Sequence, residues 1–300
     1  MAYEIQRSDR SPRKAMRRIA AEQLRGAVAV LGEGGTPPPA AIHDLRKRIK
    51  KTRGLLRLVA PQMPAFKAEN TALRDAARAI SGLRDAAVRR ATLAALLENL
   101  PDLSEEAVEP LHDLLRDPPD ERPEQAAAAL SRLERELAAV AGRVPHWKIG
   151  GRGFGALAPG LALTWEQSRK WMARAARALD RDLDAEPFHE WRKHVKAHWY
   201  QARLLAPVWP DMMAPRVAAA DILGELLGDH NDIDVLMAHL RDAGAAQAAP
   251  EGFAALGPAA LARRREHARA ALELGRKLFA GEGHDLARRW ETWWRVWQKG

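Results

Sequence analysis

Residues 42–61, IHDLRKRIKKTRGLLRLVAP, and residues 188–207, FHEWRKHVKAHWYQARLLAP, each set a histidine ahead of a run of arginines and lysines. In the first stretch His43, Arg46, Lys47, Lys50, Arg53 and Arg57 stand at +0, +3, +4, +7, +10 and +14, along one face of a 3.6-residue helix. Leu45, Ile49, Leu56 and Val59 fall on another face and are expected in a core. The second stretch places His189, Arg192, Lys193, Lys196 and Arg203 on one side and Trp191, Val195, Ala202 and Leu205 on the other. Fourteen positions at 1.5 Å per residue make a basic ridge about 21 Å long. Few of these cations have an acidic residue at i±4, the spacing that would neutralise them on an ordinary solvated face. Crowded like charges disfavour the helix unless an anion compensates, and a ligand with several phosphates would. A histidine near phosphates gains a reason to stay protonated, so His43 and His189 are read as pH-sensitive cations of the site.

The two stretches align without gaps at an offset of 146 residues, pairing His43 with His189, Arg46 with Arg192, Lys47 with Lys193, Lys50 with Lys196, Arg57 with Arg203 and Pro61 with Pro207. Downstream, ISGLRDAAV (80–88) aligns with LGDHNDIDV (227–235) at an offset of 147. A repeat of half the chain predicts two pseudo-symmetric helical bundles, residues 1–145 and 161–300, joined through a Gly-rich hinge at 146–160. Helical periodicity dominates and Pro/Gly clusters punctuate it. It predicts helices near 12–31, 41–59, 66–81, 84–99, 104–116 and 122–143, then near 161–184, 187–205, 212–228, 231–243, 256–280 and 283–298. With no useful strand pattern, the fold is expected to be all-α.

Composition bounds the partner. The 300 residues carry 48 Lys+Arg against 39 Asp+Glu, a formal charge of +9, which favours a polyanion without saying which. The absence of cysteine excludes disulfides and cysteine-based zinc sites. The opening MAYEIQRSDRSPRKAMRR is polar and basic, unlike a signal peptide, and no apolar run approaches the roughly 20 residues of a membrane span. A cytoplasmic location is expected.

The paired basic helices, with LRDAAV after the first and LLGDHNDIDVL after the second, closely resemble the CHAD family, the conserved histidine α-helical domain. The likeness covers nearly the whole chain in order, through ARRREHARAALELGRKLFAG. It implies helical bundles around a basic central groove, non-catalytic binding of inorganic polyphosphate, and association with polyphosphate granules. Carried over by position, it implies a ligand-binding set of His43, Arg46, Lys47, Lys50, Lys51, Arg53 and Arg57 in the first copy, and His189, Arg192, Lys193, Lys196 and Arg203 in the second. Ala197 and Trp199 replace basic residues at +8 and +10, so Tyr200 is read as a substitute hydroxyl donor. Some relatives are fused to a triphosphatase domain with an ExExK motif, and YEIQR is not that motif. The alternative partner class is a nucleic acid, which would use the same charge with interleaved aromatics; the first ridge has none.

Other features take structural readings. Asp229, His230, Asp232 and Asp234 suggest a cation loop, but without EF-hand spacing, so helix capping by Asp229 or Asn231 and inter-helix packing are expected. Asp85 and Asp232 are read as charged struts between helices, with Arg84 as a weaker groove candidate. GGRGFG (150–155) lacks the Lys-Ser/Thr of a P-loop. Trp290, Trp293, Trp294 and Trp297 form a helical stripe expected to face the core. Arg13, Lys14, Arg17 and Arg18 extend the basic surface or cap a solvated helix end. No metal ligand set, cofactor or nucleophile–base pair emerges.

Overall fold

The computed structural model describes residues 3–9, 11–32, 38–79, 82–116, 123–179 and 184–299, and among these every regular element is helical. The elements are α1 (Pro12–Gly32), α2 (Pro39–Val59), α3 (Phe66–Ala79), α4 (Gly82–Leu97), α5 (Glu105–Asp113), α6 (Pro123–Arg143), α7 (Ala158–Leu179), α8 (Ala185–Leu205), α9 (Pro210–Asp242), α10 (Ala245–Ala248), α11 (Pro250–Leu278) and α12 (Gly283–Lys299). None is long and apolar enough to cross a membrane.

The two basic stretches become α2 and α8, and both stop in the same way. Proline has no backbone N–H with which to continue the helical ladder. Accordingly Ala60–Gln62 and Ala206–Val208 tighten into single 3₁₀ turns, with Ala60 N–H bonded to Arg57 O and Ala206 N–H to Arg203 O. Asp184 caps the start of α8 by accepting from Glu186 N at 3.1 Å. The apolar face of α2 enters the core as expected: Leu45, Ile49, Leu56 and Val59 are fully buried. So are Trp191, Val195, Ala202 and Leu205 of α8.

The expected pair of helices at 212–228 and 231–243 is instead the continuous α9. Gly228 and Asn231 read as punctuation in the sequence, yet neither Asp229 nor Asn231 caps a helix. A glycine inside a helix costs about 1 kcal/mol, and here it is offset by close packing. A Cβ on Gly224 would stand 2.6 Å from Lys196 Cε, and one on Gly228 3.3 Å from an Arg192 Nη. Leu223, Leu227, His230, Ile233, Leu236 and Leu240 continue the buried face through the supposed break. The second element of that reading, inter-helix packing, holds.

The apolar cores do not divide at the middle of the chain. One cluster joins α1, α2, α3, α6, α7, α8 and α12 with the first half of α9 and the second half of α11. A smaller cluster joins Leu93, Leu96 and Leu111 of α4 and α5 to Ile233, Leu236, Leu256 and Ala260 of α9 and α11. Residues 146–160 are packed: Trp147, Ile149, Phe154 and Leu157 are buried, and Gly150 N–H donates to Gln62 O at 2.8 Å. The tryptophan stripe of α12 faces inward, with Trp290 buried and Trp293, Trp294 and Trp297 packed on the main core. The side chains of Arg84 and Asp85 lie outside the described residues.

Three histidines are built into this packing. His198 lies fully buried against Trp165, Phe279 and Trp290, at ring distances of 5.4, 5.5 and 5.9 Å. His230 stacks on Phe188 at 4.3 Å. Burial pushes the pKa of both down to about 3, with Arg216 and Arg264 as lesser causes, and that of His194 down to about 4, with Arg57 adding to it. The unfolded chain, whose histidines titrate near 6.5, therefore binds more protons than the folded one between about pH 6.5 and pH 3–4. Stability is expected to fall as pH drops through that window. Urea midpoints at pH 7, 5 and 4 test this, and His198→Phe should flatten part of the slope; an unchanged slope in that variant would mean His198 is not held neutral.

Candidate functional site

α2 crosses α8 face to face. Arg57 Nη1 donates to the Lys193 carbonyl at 2.8 Å, a Cβ on Gly54 would stand 2.7 Å from Tyr200 Cβ, and Lys51 feels the charge of Arg203. Residue numbers rise on α2 as they fall on α8, so the helices run antiparallel at the crossing. The two basic ridges, 146 residues apart in the chain, thereby share one region of surface. Glycine at 54 is what permits the approach, since any side chain there would meet the Tyr200 ring.

The crossing holds like charges together. His43, Lys47 and Lys50 are exposed, while Arg46, Lys51, Arg53 and Arg57 are half-buried. Burial lowers the pKa of Lys51, and Arg203, Lys47 and Arg48 lower it further. Arg53 is pushed down to about 10 by burial, then by Arg57, Arg74 and Arg78. Burial also lowers Arg57. A cation whose charged form is disfavoured by its neighbours is one that an arriving anion would relieve. Arg53 is anchored by a neutral group: its Nε donates to Asn70 Oδ1 at 3.1 Å.

On α8 the balance differs. Lys193 is exposed and pairs with Glu190, and Lys196 Nζ lies 3.0 Å from Asp221 of α9. Arg192 lies over Gly228, and its Nε is buried with no hydrogen-bond partner among the described residues. Trp199, which replaces a basic residue, lies between two of the site cations: Lys196 Nζ is 4.6 Å and the Arg203 guanidinium 4.7 Å from its ring. That ring therefore organises charge where the sequence suggested a loss of it. Tyr200 is almost fully buried, its ring edge-on to Tyr3 at 6.0 Å, and burial pushes its pKa up to about 12. Its place is in the helix crossing, beneath the ridge.

His189 Nδ1 lies 2.8 Å from Asn231 Oδ1, while the Asn231 amide nitrogen faces Asp232 at 3.3 Å. That orientation makes Nδ1 the donor, so the outer ring nitrogen can donate to an anion only when the imidazole is protonated. The acidic stretch 229–234 serves this packing. Asp234 pairs with Arg264 at 3.2 Å, His230 is buried, and no cluster of three His, Asp or Glu among the described residues has the geometry to hold a metal.

Several contributors escape sequence reasoning. Arg74 and Arg78 of α3 reach the charge of Arg53, and Asp221 reaches Lys196 across two helices; no spacing within one helix signals either. The Lys193 pair with Glu190 is an i,i−3 contact that counting at i±4 passes over. Trp199 is legible in principle, at three after Lys196 and four before Arg203. Asp221→Asn would release Lys196 from an ion pair of a kind worth about 0.2–1 kcal/mol, so polyanion affinity should rise about 1.4- to fivefold. Later elution from a heparin column would register that gain; earlier elution would mean Asp221 positions Lys196 productively.

Two solved structures share the fold. PptA from Streptomyces chartreusis matches at 18% identity and a TM-score of 0.56, over 89% of this chain and 96% of its own. The CHAD domain from the plant Ricinus communis matches at 20% identity and a TM-score of 0.53, over 97% of this chain and 94% of its own. No curated protein matches the sequence. The family model of the CHAD domain matches residues 13–241, which takes in both basic helices and the crossing they form. The chain belongs to the CHAD domain family.

Proposed function

We propose that this protein binds inorganic polyphosphate without turning it over, along the crossing of α2 and α8, and that it attaches to polyphosphate granules through that site. The observation that carries the reading is the pooling of cations from two sequence-distant helices, with Lys51 and Arg53 disfavoured as cations by burial and then by neighbouring positive charge. Membership of the CHAD family supports it, as does the +9 formal charge.

Polyphosphate suits such a surface physically. It is a flexible chain with about one negative charge per unit and no bases to read. Arginine forks take its oxygens in pairs, and lysines add mobile point charge. Affinity should come largely from released counterions and fall steeply with salt. Ordering a flexible ligand costs entropy, and a long chain can engage both ridges at once, so long chains should outcompete short ones.

Trp199 is the one observation favouring a second reading, a general polyanion or nucleic-acid surface, because an aromatic ring amid cations can stack a base. Two cations already lie within 5 Å of that ring, and the α2 ridge offers no aromatic, which favours backbone-type binding.

A competition titration with long-chain polyphosphate at two salt concentrations separates the readings. Long polyphosphate should outcompete RNA and duplex DNA per phosphate near physiological salt, with no orthophosphate released. Equal competition by nucleic acid would withdraw the polyphosphate assignment in favour of the second reading. In the variant His43→Ala, Arg46→Glu, Lys50→Glu, affinity should fall about a hundredfold or more and the log–log salt slope should become shallower by about 2–3. The helical circular dichroism should be retained, since these side chains lie opposite Leu45, Ile49 and Leu56.

A further inference from the structure

A cavity of about 440 Å³ opens where the start of α1 meets the turn after α2 and the segment after α6. Arg13, Arg17 and Lys148 line it together with Gln62 and Pro64, and none of the α2 or α8 ridge cations does. Its walls are fixed. Arg17 Nε donates to the Trp147 carbonyl at 2.9 Å, Trp147 and Ile149 are buried, and Gly150 N–H is tied to Gln62 O at 2.8 Å. The hollow is open to solvent and lined mainly by apolar surface.

Its charge has no counterpart among the described residues. No carboxylate of theirs lines the cavity, and Arg13, Lys148 and the terminal nitrogens of Arg17 make no ion pair or hydrogen bond with any of them. The neighbouring Arg18 behaves oppositely: Asp9 holds it at 2.7 Å and Glu22 at 3.2 Å. The cations also stand where the backbone opposes them. Arg13 and Arg17 occupy the first turns of α1, whose N-terminus carries partial positive charge, and that helix has no acidic residue in its first turn. Three like charges around one hollow, set against a helix dipole, describe a site that an anion would stabilise.

We infer that Arg13, Arg17 and Lys148 form a second anion pocket, apart from the α2–α8 ridge, that takes one compact phosphoanion group. The shared chemistry is a tetrahedral, multiply charged oxyanion. Arg17, held by its Nε, presents its two terminal nitrogens as a fork, while Arg13 and Lys148 close over the remaining oxygens from the exposed rim. The group has two possible sources: free orthophosphate, or the terminal phosphate of a chain. This goes beyond the polyphosphate reading and does not depend on it.

Calorimetric titration of the whole chain with orthophosphate, linear tripolyphosphate and cyclic trimetaphosphate tests the pocket. The double variant Arg13→Gln, Lys148→Gln changes only exposed side chains and leaves the Arg17 anchor in place. A ridge variant, Lys47→Gln, Lys50→Gln, serves as the counterpart. Linear tripolyphosphate should bind the ridge variant, and adding the pocket substitutions to that variant should weaken binding about tenfold or more. Orthophosphate binding as well would assign the pocket to free phosphate. Binding of the linear trimer, but of neither orthophosphate nor the cyclic trimer, would assign it to chain ends. The inference is overturned if no phosphoanion binds, or if the ridge variant loses binding while the pocket variant keeps it. Long-chain titrations of the same two variants report separately on the ridge.

Discussion

The contact of α2 with α8 at Gly54 is the constraint on which the rest depends. Without a side chain at that position the two helices close until the Tyr200 ring fills the gap, and the cations on both sides are forced into one region. Coulomb repulsion opposes that closure: after burial itself, Arg203 of α8 is the charge that most lowers the pKa of Lys51. What holds the helices there is the opposite face of each. Leu45, Ile49, Leu56 and Val59 on α2, and Trp191, Val195, Ala202 and Leu205 on α8, are all fully or almost fully buried in the same core. Burying a large apolar side chain contributes about 1.5–3 kcal/mol, so the two faces together outweigh the repulsion of a half-solvated ridge. The site is thus strained electrostatically and stabilised by packing, a combination that leaves charge available to a ligand.

The α9 helix supplies the second layer of that arrangement. Gly224 and Gly228 stand four residues apart and open a shallow channel, and Lys196 and Arg192, also four apart on α8, lie in it. Because the channel belongs to α9, the α9 side chains flanking it can set the charge of α8: Asp221 holds Lys196, and Asn231 turns His189. A break near residue 230 would have uncoupled these contacts from one another. Continuity of α9 through Gly228 is therefore part of the site.

Much of this is legible in the sequence, and the reason is periodicity. A ridge and a core face on one helix are both written at 3.6-residue spacing, so spacing alone divides α2 and α8 into two faces. The Ala-Pro endings are legible too, because the backbone N–H that proline lacks is lost locally. The break expected near residue 229 fails for the opposite reason. Gly228 and Asn231 carry turn propensity locally, but their glycine gap and amide serve α8, and tertiary packing overrides the propensity. Asp221, Arg74 and Arg78 are invisible because charge pairing between helices has no signature in either helix alone. The cores are likewise hidden: α4 and α5 precede the midpoint of the chain, yet they pack on α9 and α11, which follow it.

The asymmetry between the two ridges bears on what kind of anion can use them. On α8, Lys193 and Lys196 already have carboxylate partners, so an anion must compete with Glu190 and Asp221 for them. On α2 the neighbours of Lys51 that lower its pKa are other cations, and Asp44 offsets them only in part. A ligand of low charge density gains too little on α8 to displace the carboxylates and would be held by α2 alone. A ligand carrying one charge per repeating unit would gain more along both helices, enough to offset the loss of those carboxylate contacts. The Trp199 ring lies within 5 Å of both the Lys196 and the Arg203 cations. For the polyanion binding proposed above, Glu190 and Asp221 would therefore favour ligands of high charge density, through their proximity to Lys193 and Lys196.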